Sequence, residues 1–444
     1  VTDLDPRASM RAAPMSALQK AAVAVTFLLA ALDGFDVLAV TLAAPGISRE
    51  WGIDHGVLGM IFAAGFAGMA GGALFLAPAA DLFGRRPLIL ICLALMGAGM
   101  LGGGLSPSVM PLLISRAVAG MGIGAMLSLI NPLATEFASD RRRDLSVSLM
   151  AIGYPVGGVI GAGAASFVLA YLDWRSIFYL GAVLAVAAVP LVWAWLPEPL
   201  SFLIERPRRD ALSRVNALML RCGLPRVTIL PAPAERHGKL PIAALLETSR
   251  VMTTARVTFI NLLFVVPVQY VLSWLPQLVA DLGFSAAQAA TVSLTANLAG
   301  IAGGLGLGWL AGIVGLQRVG FCAFVLFALI CTVFSYAPAD LGLLRLMAIL
   351  LGASLFAGMC ALHAIVSRSF PDHLRASGAG LVLGIGRAGS ALSPLVVGSL
   401  FAAGVGREAL SLAMSACAIA AAVLLGGLSA LRSPRPSVIR TQSI

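Results

Sequence analysis

Of the 444 residues, 59% are hydrophobic and only 11% are charged, whereas a soluble protein carries about 25% charged residues. A water-exposed fold cannot dispose of that much apolar surface, so a soluble enzyme or binding module is excluded and a polytopic membrane protein remains. The formal net charge of +10 would suit a nucleic-acid partner, but the placement of the basic residues explains it better.

Apolar segments of about 20 residues, the length a helix needs to span a bilayer, are predicted at 20–45, 56–80, 87–106, 109–135, 145–171, 176–196, 257–280, 285–312, 319–337, 341–365, 377–404 and 408–431. Twelve spans put both termini on one side. With that side cytoplasmic, the tails and inner loops hold 24 of the 30 Lys and Arg, and the outer loops hold Arg49, Arg175 and Arg407. This is the positive-inside bias, and it sets both ends in the cytoplasm. The predicted organisation is a cytoplasmic tail (1–19), a six-helix bundle (20–196), a Pro- and Arg-rich cytoplasmic linker (197–256), a second six-helix bundle (257–431) and a cytoplasmic tail (432–444). The bundles are related in sequence. "AGMAGG" at 67–72 returns as "AGIAGG" at 299–304, and "EFASDRRRDLSVSLMAIGY" at 136–154 returns loosely as "SFPDHLRASGAGLVLGIGR" at 369–387. The expected fold is an all-α membrane protein, twelve transmembrane helices in two pseudo-symmetric six-helix bundles, with substrate handled where they meet. The first apolar run is full length and carries two acids, so it is expected to stay as a helix and not to be cleaved as a leader.

In chain order, the first chemistry lies in "ALDGFDVLAV" (31–40). Asp33 and Asp36 are the only charges between Ala21 and Pro45, and a charge at the bilayer centre costs about 2.5–3.5 kcal/mol. Their i, i+3 spacing sets them on one helix face, so both are expected to look into a shared cavity, where burial and mutual repulsion favour uptake of a proton. The rival readings are a salt-bridged pair that only fixes helix packing, and direct contact with a substrate or a structural water network. After the second span, "LAPAADLFGRRPL" (76–88) sets Asp81 at a helix end, Gly84 in a tight turn, and Arg85 and Arg86 on the cytoplasmic side. Such a set can form a latch between helix ends. The loop resembles the signature of the major facilitator superfamily, with Ala77 at its first glycine position.

Arg116, in the fourth span, is expected about 12 Å below the outer surface at 1.5 Å per residue. Glu136 ends that span beside Arg141, Arg142 and Arg143, its simplest partners, and Tyr154 lies in the fifth. "LPEPLSFLIER" (196–206) resembles the superfamily's segment after the sixth helix and offers Glu198 as a latch partner. The seventh span carries Gln269, Ser273 and Gln277 at i, i+4 and i+8, a stripe suited to a water-lined face, with Tyr270 and Trp274 beside it. Asn131 and Asn297 are further cavity candidates, and Arg345 is shallow enough to be a snorkelling anchor. Arg387, ten residues into the eleventh span, is expected level with Asp33. Always charged, it needs an anion, either the aspartates or an anionic substrate. The second-half loop "GWLAGIVGLQR" (308–318) lacks the aspartate and one arginine, so any latch is expected to be asymmetric.

Six cysteines show no metal-ligand spacing and are expected to be packing residues. No Ser/His/Asp set, metal cluster or phosphate loop is recognisable, so neither an enzyme nor a cofactor is expected; His55, His237, His363 and His373 fall at helix ends or in loops. "GIGRAGS" (384–390) lacks the preceding strand that a dinucleotide loop needs.

Taken together, "DGFD" (33–36), "SRAVAGMGIGA" (115–125), "TEFASDRRR" (135–143) and "FPDHLRASGAGLVLGIGRAGSALSPLVVG" (370–398) make the chain similar to the aromatic acid:proton symporter family, over essentially the whole membrane region. The resemblance implies import of ring acids such as benzoate, hydroxybenzoates, protocatechuate or gentisate, driven by the proton gradient without a cofactor. It implies a carrier in a bacterial-type cytoplasmic (inner) membrane, expected to work as a monomer. It also implies Asp33 and Asp36 as essential acids, Asp81, Gly84, Arg85 and Arg86 as a gating loop, and Arg116, Glu136 and Arg387 as functional charges. Residues and resemblance agree on a mechanism. Arg387, helped by Arg116, holds a carboxylate; Phe35, Tyr154, Tyr270 and Trp274 can stack on the ring; protonation of Asp33 or Asp36 from outside lets the loaded carrier turn. The rival readings are an importer of a non-aromatic organic anion and a drug or metabolite:proton antiporter, the latter suggested by "GYPVGGVIGAG" (153–163).

Overall fold

The computed structural model describes residues 5–205, 210–231, 248–370 and 375–427. Within these, the side chains of Asp81, Asp144, Ala151, 248–250 and 375–377 lie outside the description. Among the described residues there is no β-strand, and twelve helices are long and apolar enough to cross a membrane. They are α1 (Ala17–Trp51), α2 (His55–Ala79), α3 (Arg85–Gly104), α4 (Val109–Glu136), α5 (Leu145–Val168), α6 (Arg175–Trp195), α7 (Val251–Ala280), α8 (Ala286–Val314), α9 (Leu316–Ser335), α10 (Leu341–Arg368), α11 (Gly378–Ala402) and α12 (Arg407–Gly426). Each predicted span falls on one of them. The main differences are that α1 continues past Pro45 to Trp51 and that α7 begins at Val251, not at 257.

Local chemistry sets the helix starts. At α1, the Ser16 hydroxyl accepts from the Gln19 amide at 3.3 Å while the Gln19 side chain accepts from the Ser16 amide at 2.9 Å, a reciprocal cap. Ser285 and Gln288 repeat it at α8, and Asp54 and Asp340 cap α2 and α10. The 35 residues of α1 make it about 52 Å long, more than the ~30 Å hydrocarbon layer can take upright. α2 breaks from α-geometry through Gly72–Leu76 and Ala77–Ala79, where Pro78 supplies no amide donor.

The two halves follow one plan. In the first, α2 packs on α4 and α3 on α6; in the second, α8 packs on α10 and α9 on α12. The repeated segment shows why: Gly68 and Gly72 lie against the main chain of Ala117 and Met121, and Gly303 against that of Ala353. Small residues at these points let helix backbones touch. Between the halves, α1 meets α7 and α8, α2 meets α11, and α5 meets α8.

We call the face where α1 begins and α12 ends the near face, and its opposite the far face. At the far face the halves are closed. His55 Nε2 lies 2.9 Å from Asp281 Oδ2, and Trp274 packs among His55, Phe62 and Phe401. Gly59 comes so close to the Pro394 carbonyl and to Gly398 that no side chain would fit. Toward the near face, Asn131, His363 and Arg387 are exposed within their spans. Lipid would penalise such groups, and a water-filled cleft between the halves would not. The molecule is therefore open to the near face.

Part of the segment predicted as a linker is folded. Helices Leu200–Glu205 and Ala211–Arg221 lie in one apolar cluster with the near ends of the first half, burying Val215, Leu218 and Met219. Asn216 pins the chain at Val227 through two hydrogen bonds of 3.0 and 2.8 Å.

Candidate functional site

Asp33 and Asp36 are both 0% exposed, and none of their four carboxyl oxygens has a hydrogen-bond partner among the described residues. The shared cavity expected from their spacing is therefore absent in this state. They do share a helix face, but it turns into the first half; α1 presents Val37, Leu38 and Thr41 to the seam. Asp36 Oδ1 occupies space left by Gly181 of α6, whose missing Cβ would stand 3.2 Å away. Phe35, expected to stack on a ring, instead fills the gap beside Gly161 and Gly181 in the hydrophobic core.

Arg116 is also inside the first half, 2% exposed, and not at the seam where a substrate contact was expected. Its Nη2 donates to the main-chain carbonyl of Asp36 at 3.2 Å, its Nη1 lies 3.4 Å from the Met100 sulfur, and its guanidinium stands 5.9 Å from the centre of the Phe178 ring. It is the internal counter-charge of Asp36. Arg387 is placed differently. Exposed on α11, it lies across the seam within electrostatic range of Asp33. His363 of α10, a residue without a sequence signal, stands in the field of the same arginine.

Farther from the near face, two small adjoining voids of ≈ 10 and ≈ 20 Å³ mark where the halves stop short of contact. The first is bordered by Thr41, Tyr154, Gln269, Ser273, Asn297 and Phe356. Gln269 donates to Ser273 at 2.7 Å, and one turn on Gln277 donates to Asp281 at 2.8 Å. The polar stripe of α7 thus runs from the seam to the far closure. Tyr270 and Trp274 are not part of it. Consecutive helix positions do not share a face, so Tyr270 points into the second half, its hydroxyl 2.9 Å from Ser411 Oγ. Trp274, 0% exposed, belongs to the far closure. Thr41 and Phe356 had no sequence signal, since one hydroxyl and one aromatic are ordinary in a membrane helix.

At the near face, Gly84 adopts φ +104°, and a Cβ there would stand 2.9–3.0 Å from the Glu198 carboxylate atoms. That carboxylate accepts from the amides of Arg85 at 2.5 Å and Arg86 at 3.1 Å, capping the free donors at the start of α3. Burial pushes the Glu198 carboxyl up from its usual range, against the pull of those amides and of the two arginine charges. The Arg85 side chain pairs with Glu136, which also accepts from Ser201 at 2.5 Å; Arg86 donates to the Trp193 carbonyl at 2.6 Å. Glu136 was expected to pair with Arg141, Arg142 or Arg143, but these are exposed on the turn beyond α4, while Glu136 faces α3. The side chain of Asp81 lies outside the described residues. Among the described residues, no group of acidic, His or Cys side chains could hold a metal ion.

Residues 26–394 match the family described as Major Facilitator Superfamily. Over 427 residues the chain is 28% identical to a gallate transporter of Pseudomonas putida, covering 95% of this chain and 94% of that one. Over 442 residues it is 30% identical to the 4-hydroxybenzoate transporter PcaK of Pseudomonas aeruginosa, covering 96% and 97%. Among solved structures, the xylose transporter XylE from E. coli in a partially occluded inward open conformation superposes with a TM-score of 0.74 at 15% identity, covering 95% of this chain and all of that one.

Proposed function

The chain belongs to the major facilitator superfamily and is a transporter, not an enzyme; on that premise we propose that it imports an aromatic carboxylate together with a proton across a bacterial-type cytoplasmic membrane. The relatives named above support the ring acid as cargo. The bias of Lys and Arg supports the near face as the cytoplasmic one, which makes the state described inward-facing.

The observation that carries this reading is Arg387, exposed within its membrane span and close enough to the buried Asp33 of the other half for their charges to interact. Asp33 and a substrate carboxylate are alternative counter-charges for one guanidinium. With Asp33 ionised and no substrate, the pair is neutral. With Asp33 protonated and the anion bound to Arg387, it is neutral again. The half-loaded forms carry a net charge of either sign, and moving a net charge through an apolar seam is costly. Only the empty and the doubly loaded carrier cross readily, which is symport. A carboxyl buried without a donor is tolerated as the neutral acid, so the sealed state suits the protonated form, and access to water on one side at a time sets the direction. Asp36 with Arg116 repeats the arrangement inside the first half. Gly84, Arg85, Arg86, Glu136 and Glu198 hold the near ends of α3, α4 and α6 as one body while the halves rock.

Uptake of labelled 4-hydroxybenzoate into proteoliposomes tests this. An acidic exterior should accelerate wild-type uptake, and a protonophore should remove the acceleration. Asp33→Asn should lose it while still exchanging substrate in counterflow, because the amide imitates the protonated acid. Normal acid-stimulated uptake by that variant would refute the assignment.

A further inference from the structure

Most hydroxyls of the membrane helices turn back onto their own backbone, as buried Ser and Thr do when nothing else is offered. Thr291 donates to the Gln288 carbonyl at 2.7 Å, Thr295 to Val292 at 2.8 Å and Ser354 to Leu350 at 2.8 Å. Ser293, on the same helix as the first two, does not. It is 4% exposed, its Oγ has no hydrogen-bond partner among the described residues, and it borders the second void, whose other walls include Leu38, Val271, Leu272 and Leu355. One turn away, Asn297 borders both voids. Its Nδ2 donates to the Ser293 carbonyl at 2.9 Å, and its Oδ1 is directed across the seam to the spot where a Cβ on Gly158 would lie, 3.0 Å away. A buried hydroxyl with no partner, at the edge of an apolar space, is a costly arrangement unless a ligand completes it.

The voids stand at a defined height above Arg387. Around Arg387, Gly386 lies against Asn261 and Gly389 against Leu262 of α7. Gln269 is seven residues farther along that helix, about 10 Å toward the far face at 1.5 Å per residue. A single ring held by its carboxylate at Arg387, with the reach of the arginine side chain added, would bring its opposite edge to the level of the Gln269–Ser273 pair, with which Asn297 shares the first void and beyond which Ser293 and Asn297 share the second. In the state described, each void is no larger than about one water, so the ring enters as the halves part.

We propose that Ser293, supported by Asn297, is a specificity residue that hydrogen-bonds a ring hydroxyl on the edge opposite the carboxylate and so sets the preference of this chain between a hydroxylated acid and plain benzoate. The inference rests on the aromatic-acid reading above. It assigns Ser293 and Asn297 to the substituent and leaves Arg387 to the carboxylate.

The test is the ratio of kcat/KM for 4-hydroxybenzoate over benzoate, measured in proteoliposomes for wild type, Ser293→Ala and Ser273→Ala. A ratio is insensitive to the amount of active protein, and Ser293→Ala removes only an oxygen, so loss of folding is not an expected outcome. Wild type should favour the hydroxylated acid. Ser293→Ala should lower the ratio about fivefold, the worth of one neutral hydrogen bond, with benzoate transport nearly unchanged. Ser273→Ala, whose hydroxyl is already engaged by Gln269, should lower it less. An unchanged ratio in Ser293→Ala, with both acids carried, overturns the inference and leaves the aromatic-acid reading standing. Failure of wild type to carry either acid, when a reconstituted aliphatic acid is carried, overturns both.

Discussion

Gly84 shows how one residue can be fixed by two independent constraints. Its φ of +104° is costly for any residue with a Cβ, and the space a Cβ would take is held by the Glu198 carboxylate. Gly84→Ala should therefore destabilise the near-face latch by about 1–3 kcal/mol, read as a lower Tm in detergent. A Tm equal to wild type would show that the latch does not depend on this turn. Arg387 makes a different demand. Its charge alone would attract an anion, but a planar fork is what matches a carboxylate. Arg387→Lys should raise KM about tenfold for a ring acid and Arg387→Ala more, with the loss smaller for cargo lacking the carboxylate. The sequence marks these residues because glycine beside arginines, and arginine in an apolar run, are both unexpected. It does not mark their partners. Glu136 has three arginines within seven residues, yet pairs with one fifty-one positions away, because the turn after α4 sends its neighbours to solvent.

Among the elements, the contact of α2 with α11 decides whether the far face can close. Gly59 and Gly398 face each other there, with the His55 and Pro394 carbonyls in the same contact, so any side chain at either glycine holds the helices apart. Gly59→Leu should block the inward-facing closure and lower transport at least tenfold. Ligand binding from the far side should survive. The readout is thiol labelling of a cysteine placed on the α7 stripe, which should become reactive from outside. Unchanged labelling together with normal transport would show that closure does not require this contact. The α7 stripe itself was legible, since a spacing of four lines up one face. Tyr270 and Trp274 were misplaced by proximity in sequence, being about 100° around the helix from the residues beside them.

For the whole molecule, the balance between states rests on what joins the halves at the far face. The His55–Asp281 pair, with side chains 32% and 36% exposed, is the type that contributes about 0–1 kcal/mol. Asp281→Asn should accordingly move the equilibrium toward the outward-open form by no more than about fivefold. A distance measurement between spin labels at the far ends of α2 and α8 would record the shift. The aromatic group of Trp274, Phe62 and Phe401 should hold most of the closure, so Trp274→Ala should shift the distances further than Asp281→Asn. The opposite order would assign the closure to the charge pair.

The number of spans and the doubled plan were determined by the chain itself. Lipid imposes a fixed length on each apolar run, and a repeat at half the chain length records two similar bundles. The presence of charges within the apolar spans was also legible, because Asp33, Asp36, Arg116 and Arg387 stand out against apolar neighbours. Which of them meet was decided only by the tertiary structure. A helix face is defined relative to its own axis, and nothing in the spacing says whether that face looks into its own bundle or across the seam. Packing turned Asp36 and Arg116 inward, left Arg387 to the cleft, and left the Ser293 hydroxyl without a partner, because the contacts that fix helix rotation come from glycines and carbonyls far apart in the chain.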